Sequence, residues 1–450
     1  MSGTAAVKRI GIFGHVGNGN LGDEAIIAVV IDNIRQRYPS AEILGFTLRP
    51  EDTSVRHQIQ AFPIRRFDHT PGRTAPSVPD HVERDPIPTS PSLPGRAKAT
   101  LKTFPRVYGV LKRIQEWWHV IVASAREPGF LLQSYRRAEG LDLLIVAGSS
   151  QLIDYVEGGP WGHPYTILKW VMIAKARKTK IAFVSCGVGP LQTMLGRLFC
   201  RVALSLADYR SYRDEVSSKC AEQIGVSGSR WMTPDLVYGL RLDENGPGTA
   251  SLVGRPIVGI NPVPFSDPKA WVGTNSHAYQ SYVGKLAGIA VWLIHRGYAV
   301  MFFPTQLRAD PPVIGDILNV LTKGGASDID SNVIQCDIRS FDDLTAAISR
   351  AEMIIATRFH GVVFSYLLHK PVIGIAYARK TNDLMAQMGQ ADYALDIMNF
   401  DLETLQERFV ALESRKTDVR REIAQGISVH RQALSEQYAR VFGLLETLPE

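Results

Sequence analysis

Short, almost wholly apolar runs alternate with longer stretches whose apolar residues recur every three or four positions. Runs over 9–14, 42–47, 141–147 and 181–186 read as strands, and stretches over 23–37, 163–178 and 191–207 read as helices. Continuous apolar strands are what parallel sheets buried on both faces require. Strands alternating with helices imply βαβ units and an α/β fold. A polar loop over 243–251 (DENGPGTAS) has linker composition. Beyond it a second series opens, with strands expected over 256–260, 298–303, 333–337, 353–357 and 372–377. Ser340, followed three residues on by Asp343, predicts a helix N-terminus.

Two segments break the rhythm. Residues 70–96 are rich in Pro, Ser and Thr and predict a mobile loop. Residues 107–122 place Trp117 and Trp118 on an apolar helical stripe interrupted by Lys112 and Arg113. That stripe suits packing on the first domain, or a membrane interface. The expected domains are therefore 1–242, with an insertion over about 67–140, then 252–400, then helices over 401–450 packing back on both.

Composition narrows the classes. No apolar run approaches the roughly 20 residues that span a bilayer, and the N-terminus shows no long apolar leader. The four cysteines (Cys186, Cys200, Cys220, Cys336) are scattered without a CxxC pair. No metal site or disulfide framework is expected, and a cytoplasmic setting fits. Cys186 reads as a small core residue. The net charge of +6 suits anionic ligands. The basic residues are dispersed and no nucleic-acid-binding motif occurs, so no nucleic-acid partner is expected.

Candidate chemistry gathers where strands end. At 357–361 an apolar strand runs into Arg358, Phe359, His360 and Gly361, and an apolar helix follows. A helix start offers free N–H groups to an anion. Arg358 adds a fork of donors, His360 a group that can carry a proton near neutral pH, and Gly361 room for close backbone approach. Alternatively, Arg358 pairs with a structural carboxylate and His360 lies in the interior. Arg213 stands at another helix start, where a cation is disfavoured unless Asp214, Glu215 or a bound anion compensates it.

The loop at 14–25 carries Gly17, Gly19 and Gly22 in G-x-G-x-x-G spacing. Asp23 and Glu24 directly behind it disfavour a pyrophosphate. Asn18, Asn20 and Asp23 suit sugar hydroxyls, or else form a tight turn with Asp23 as a cap. At 147–154 (AGSSQLID), Ser149 could meet an acceptor and Asp154 could orient or deprotonate a hydroxyl. The CGVGP at 186–190 reads as a turn shaped by glycines.

Taken in order, GNLGDEA at 19–25, SCGVGP at 185–190, YRDEVS at 212–217, TRFHG at 357–361 and PVIGIAY at 371–377 with Lys380 beyond resemble the polysaccharide pyruvyl transferase family. The resemblance covers most of the chain outside 67–140 and the far C-terminus. It implies two Rossmann-like parallel-sheet domains in a GT-B-like arrangement with an interdomain cleft. It also implies transfer of pyruvate from phosphoenolpyruvate to sugar hydroxyls as a ketal, with no cofactor. Carried over, Arg213, Arg358, His360, Gly361 and Lys380 would bind the donor. His360, Arg358 and Asp154 would be catalytic. Asn18, Asn20, Asp23 and Ser149 would meet a glycan or lipid-linked saccharide acceptor. Where the family usually runs glycines, this chain has Gly148, Ser149 and Ser150. The resemblance leaves room for peripheral contact with the inner membrane face and for a homo-oligomer. A nucleotide-sugar glycosyltransferase of the same architecture, or a non-enzymatic sugar- or anion-binding regulator, are the alternatives.

Overall fold

Fully buried strands dominate both halves of the molecule and place every loop of interest at one edge of a sheet. A computed structural model describes residues 7–14, 16–66, 127–155, 158–241, 254–267, 275–323 and 329–446. The expectations for 70–96, 107–122 and the loop at 243–251 lie outside these residues.

The first sheet has seven strands, all paired in parallel. They are β1 (Arg9–Phe13), β2 (Glu42–Thr47), β3 (Gln60–Pro63), β4 (Leu143–Ala147), β5 (Lys180–Cys186), β6 (Tyr209–Tyr212) and β7 (Trp231–Met232). Their spatial order is β3-β2-β1-β4-β5-β6-β7. Phe13 lies opposite both Phe46 and Val146, so neighbouring strands end level. The second sheet has six parallel strands: β8 (Ile257–Asn261), β9 (Ala299–Phe302), β10 (Val333–Gln335), β11 (Met353–Ala356), β12 (Val372–Ala376) and β13 (Ala394–Asp396). Their order is β10-β9-β8-β11-β12-β13.

In each sheet the strand order reverses once, between β1 and β4 and between β8 and β11. Open α/β sheets bind ligands in the crevice beyond the carboxyl ends at such points. The loops that emerge there are 14–20, 148–154, 262–267 and 357–358.

Helices cover both faces. They are α1 (Leu21–Arg37), α2 (Pro50–His57), α3 (His163–Ala176), α4 (Met194–Ser205), α5 (Glu215–Gln223), α6 (Ser276–His295), α7 (Asp310–Lys323), α8 (Ile329–Asn332), α9 (Phe341–Arg350), α10 (Phe359–Leu367), α11 (Arg379–Gln387) and α12 (Leu402–Gly443). The anticipated cap is present: the Ser340 hydroxyl accepts from the Asp343 N–H, and the Asp343 carboxylate accepts from the Ser340 N–H. One apolar core runs from a face of the first sheet into the second domain, and a second core fills the other face of the first sheet.

The C-terminal segment is one helix rather than several. At 42 residues, α12 spans about 63 Å at the usual rise per residue. Its first half packs on the second domain, where Phe409 meets Trp292 edge-on at 5.6 Å and Lys416 pairs with Glu352 at 2.6 Å. Its last turns enter the first domain. There the buried Gln437 side chain accepts from the Ser211 and Thr233 hydroxyls and donates to that of Ser185.

Candidate active site

The glycine loop after β1 is held from behind. Glu24, 1% exposed, accepts from the Gly17 N–H at 2.9 Å with one oxygen and meets His57 Nε2 at 2.9 Å with the other. Glu24 is therefore the loop's anchor. The helix begins two residues earlier than its pattern suggests, because Asn20 caps it: the Asn20 Oδ1 accepts from Gly22 N–H at 3.1 Å. Asp23 sits buried in the first turn of α1, so it is not the cap.

The same loop is stitched to the second domain. Leu21 N–H donates to the Thr305 carbonyl at 2.9 Å, and Leu307 N–H to the Gly19 carbonyl at 2.8 Å. The Gln306 side chain donates to the Asn18 carbonyl at 3.0 Å. The expectation of a sugar-facing Asn20 is thus corrected, while for Asn18 it is the backbone carbonyl that is engaged. The Asn20 side-chain oxygen serves its own helix, and both residues form the seam between the domains.

The turn after β11 shows a second difference. Arg358 is 2% exposed, and its Nε and one terminal nitrogen donate to Asp310 Oδ1 at 2.9 and 2.6 Å. Asp310, at 0% exposure, also accepts from the Thr305 and Gln306 N–H groups through its other oxygen. Burial pushes its carboxyl above the usual range, against the pull of Arg358. Here the structural alternative for Arg358 holds. The guanidinium fastens the TRFHG turn to the start of α7 instead of presenting a fork to the cleft. Gly361 has a packing reason too. A Cβ there would stand 2.3 Å from Asn261 Oδ1, so only glycine lets β8 and α10 approach.

His360 crosses to the other domain. A Cβ on Gly22 would lie 2.1 Å from its ring, so the imidazole rests on the first turn of α1. The starts of α1 and α10 therefore meet across the cleft, with one imidazole between them.

Beside this contact the remaining motifs converge. Arg213, at the end of β6, donates to Ser150 Oγ at 2.9 Å and to Asp235 Oδ2 at 3.3 Å. Its guanidinium stacks over the Phe359 ring, 4.8 Å from the centroid. Lys380 Nζ lies 5.3 Å from the centre of the same ring. Arg213 Nε also lies 3.7 Å from the Asp214 carboxylate, so one of the compensating acids expected beside this helix start is in place. Gly187 N–H donates to the Ser149 carbonyl at 3.0 Å, joining the loops after β4 and β5. Ser150 rather than Ser149 carries the contact with Arg213.

Asp154 is corrected as well. Its oxygens accept from Gln192 N–H, Thr193 N–H and the Thr193 hydroxyl, all within 2.7 Å. A carboxylate so engaged orders the start of α4 and is not poised as a base. Cys186 is buried at 2% exposure, and burial pushes its thiol up to about 12, consistent with its reading as a core residue. Sequence reasoning missed Asp235, Asp310, His57 and the aromatic role of Phe359. An acid at the first position of a helix reads as favourable to the dipole and gives no hint of a distant arginine.

What emerges is a two-domain α/β protein with its cleft between the carboxyl edges of two parallel sheets, the arrangement of GT-B-type glycosyltransferases and epimerases. A putative UDP-N-acetylglucosamine 2-epimerase from Listeria monocytogenes superposes with a TM-score of 0.57 at 11% identity, covering 99% of this chain and 98% of that one. A glycosyltransferase from Rickettsia africae gives a TM-score of 0.54 at 9% identity, with 99% and 100% covered. At such identities the likeness is one of fold.

The family model for polysaccharide pyruvyl transferase matches residues 20–379, and the chain belongs to that family. It is also 22% identical over 398 residues to the amylovoran biosynthesis protein AmsJ of Erwinia amylovora, covering 85% of this chain and 88% of that protein. Among the described residues no helix is long and apolar enough to cross a membrane.

Proposed function

We propose that this transferase moves pyruvate from phosphoenolpyruvate onto a pair of sugar hydroxyls as a cyclic ketal, releasing phosphate. The acceptor is a polysaccharide or its precursor, and the setting is the cytoplasm. The observation that carries the reading is the meeting of Arg213, Phe359, His360 and Lys380 where both domains' strand ends face each other. Two cations beside one aromatic ring and two helix starts make a preorganised cradle for a small phosphorylated acid.

In this reading a proton passes from His360 to the donor's methylene carbon, leaving cationic character on the carbon that bears phosphate. One sugar hydroxyl adds to that carbon. Phosphate departs with the bonding electrons and a second hydroxyl closes the ring; of the two hydroxyl protons released, one returns to His360 and the other leaves on the phosphate. Arg213 and Lys380 balance the carboxylate and the departing phosphate. Arg358 acts from beneath, by holding the turn that carries Phe359 and His360.

The test is phosphate release from phosphoenolpyruvate with a panel of acceptor glycans, the product weighed by mass spectrometry, beside parallel incubations with UDP-, GDP- and ADP-sugars. Phosphate and a ketal should appear with phosphoenolpyruvate plus one acceptor, and the Arg213→Gln variant should lose on the order of a hundredfold in rate. Glycosyl transfer from a nucleotide sugar, or an unaffected Arg213→Gln enzyme, would reject the assignment.

A further inference from the structure

Behind the hinge, on the side away from the cleft, lies a second pocket of about 740 Å³. Its floor is apolar, formed by the half-buried Leu368 over the buried Leu240, Leu367 and Leu434, and its lining includes the cationic Arg241 and Arg431 together with His369. Among the described residues no carboxylate lines it. Arg431 donates from Nε to the Tyr238 carbonyl at 3.2 Å, and Arg241 donates to the Gln36 side chain at 2.5 Å. Neither guanidinium has an ion pair among the described residues. Burial lowers the His369 pKa, and the nearby Arg431 and Lys370 charges lower it further, so this corner is electropositive.

An inorganic anion would leave the leucine floor wet, and an uncharged apolar molecule would leave two guanidiniums without a counter-charge. A guanidinium fork suits phosphate, and the floor suits a hydrocarbon body. We infer that the rear pocket binds an amphiphilic monophosphate, an alkyl or isoprenyl phosphate, with its head on Arg241 and Arg431 and its chain on the leucines.

The inference is independent of the reaction proposed for the cleft. Its position also gives it reach. Asn33 and Gln36 of α1 and Leu367 of α10 line the pocket, and the starts of these same two helices meet in the cleft.

Geranyl phosphate is the probe, titrated calorimetrically against the full chain, with geraniol and inorganic phosphate as separate arms. One saturable site is expected for geranyl phosphate, at least tenfold tighter than either fragment. The Arg241→Ser, Arg431→Ser double variant should bind at least tenfold more weakly. Both side chains are exposed, so far-UV circular dichroism should be unchanged; the charge-reversed Arg241→Glu, Arg431→Glu protein is the second variant and should not bind. Hydrogen exchange should show protection by geranyl phosphate at 431–438 and none at 357–361. Equal binding by the double variants, equal affinity for inorganic phosphate, or protection confined to 357–361 would each overturn the inference.

Discussion

Removing the guanidinium of Arg358 leaves the buried Asp310 without its counter-charge, with the Thr305 and Gln306 N–H groups as its remaining hydrogen-bond partners, so it must either hold an unpaired charge or take up a proton. Breaking one side of a buried ion pair costs about 3–5 kcal/mol. For a domain of this size that corresponds to a fall in Tm of roughly 6–20 °C. Arg358→Met should show this loss in urea unfolding followed by both fluorescence and circular dichroism. Adding Asp310→Asn removes the charge and keeps an oxygen for the two N–H groups. What remains is one poorly satisfied amide, about 1–3 kcal/mol. The double variant should therefore be more stable than Arg358→Met by about 2 kcal/mol. Because Arg358 here holds a turn and does not itself grip the ligand, the double variant should also regain phosphate release to within about tenfold of wild type. A single variant within about 1 kcal/mol of wild type, or a double variant no better than the single, would refute the reasoning. A stable double variant without turnover would return Arg358 to the donor.

Glu24→Gln trades a charged acceptor shared by Gly17 and His57 for a neutral one, and should lower stability by about 1–3 kcal/mol; an unchanged urea midpoint would count against the anchor. Gly22→Ala must displace the His360 ring. A misplacement of about 1 Å can cost on the order of a hundredfold in rate, so phosphate release should collapse with an intact circular dichroism spectrum, and near-normal turnover would refute it. Lys370 is half-buried, and burial, with Arg420 nearby, pushes its ammonium down to about 8 from 10.5. Between those values the unfolded chain holds the extra proton, so this group's stabilisation is present at high pH and is lost as pH falls through about 8. Lys370→Met should flatten the rise in stability from about pH 8 to 10; an identical slope would show that Lys370 is not the source.

The alternation of strands and helices was legible because the central strands are buried on both faces and read as unbroken apolar runs. Leu143–Ala147 and Val372–Ala376 are buried at every residue. The short edge strands β3, β7 and β13 were not, since an edge such as Trp231–Met232 is exposed and carries no periodicity. That these motifs would gather at strand ends was also legible, because glycines, an arginine and a histidine there are local signals. Partnership was not. Asp310 lies 48 residues before Arg358 and shares no pattern with it. A fastened arginine and one awaiting an anion are the same letter; only the acid folded beneath it tells them apart. Gly22 likewise read as part of a possible phosphate loop, whereas its constraint comes from an imidazole in the other domain.

The long C-terminal helix changes how the cleft can open. It is gripped by Lys416 on one lobe and by Gln437 on the other, so it works as a splint across the joint. Swinging the lobes straight apart would have to bend that rod or strip Gln437 from three hydroxyls. Rotation of one lobe around the rod disturbs neither grip. Entry and exit of a bulky glycan are thus better served by a twisting motion than by a jaw-like one.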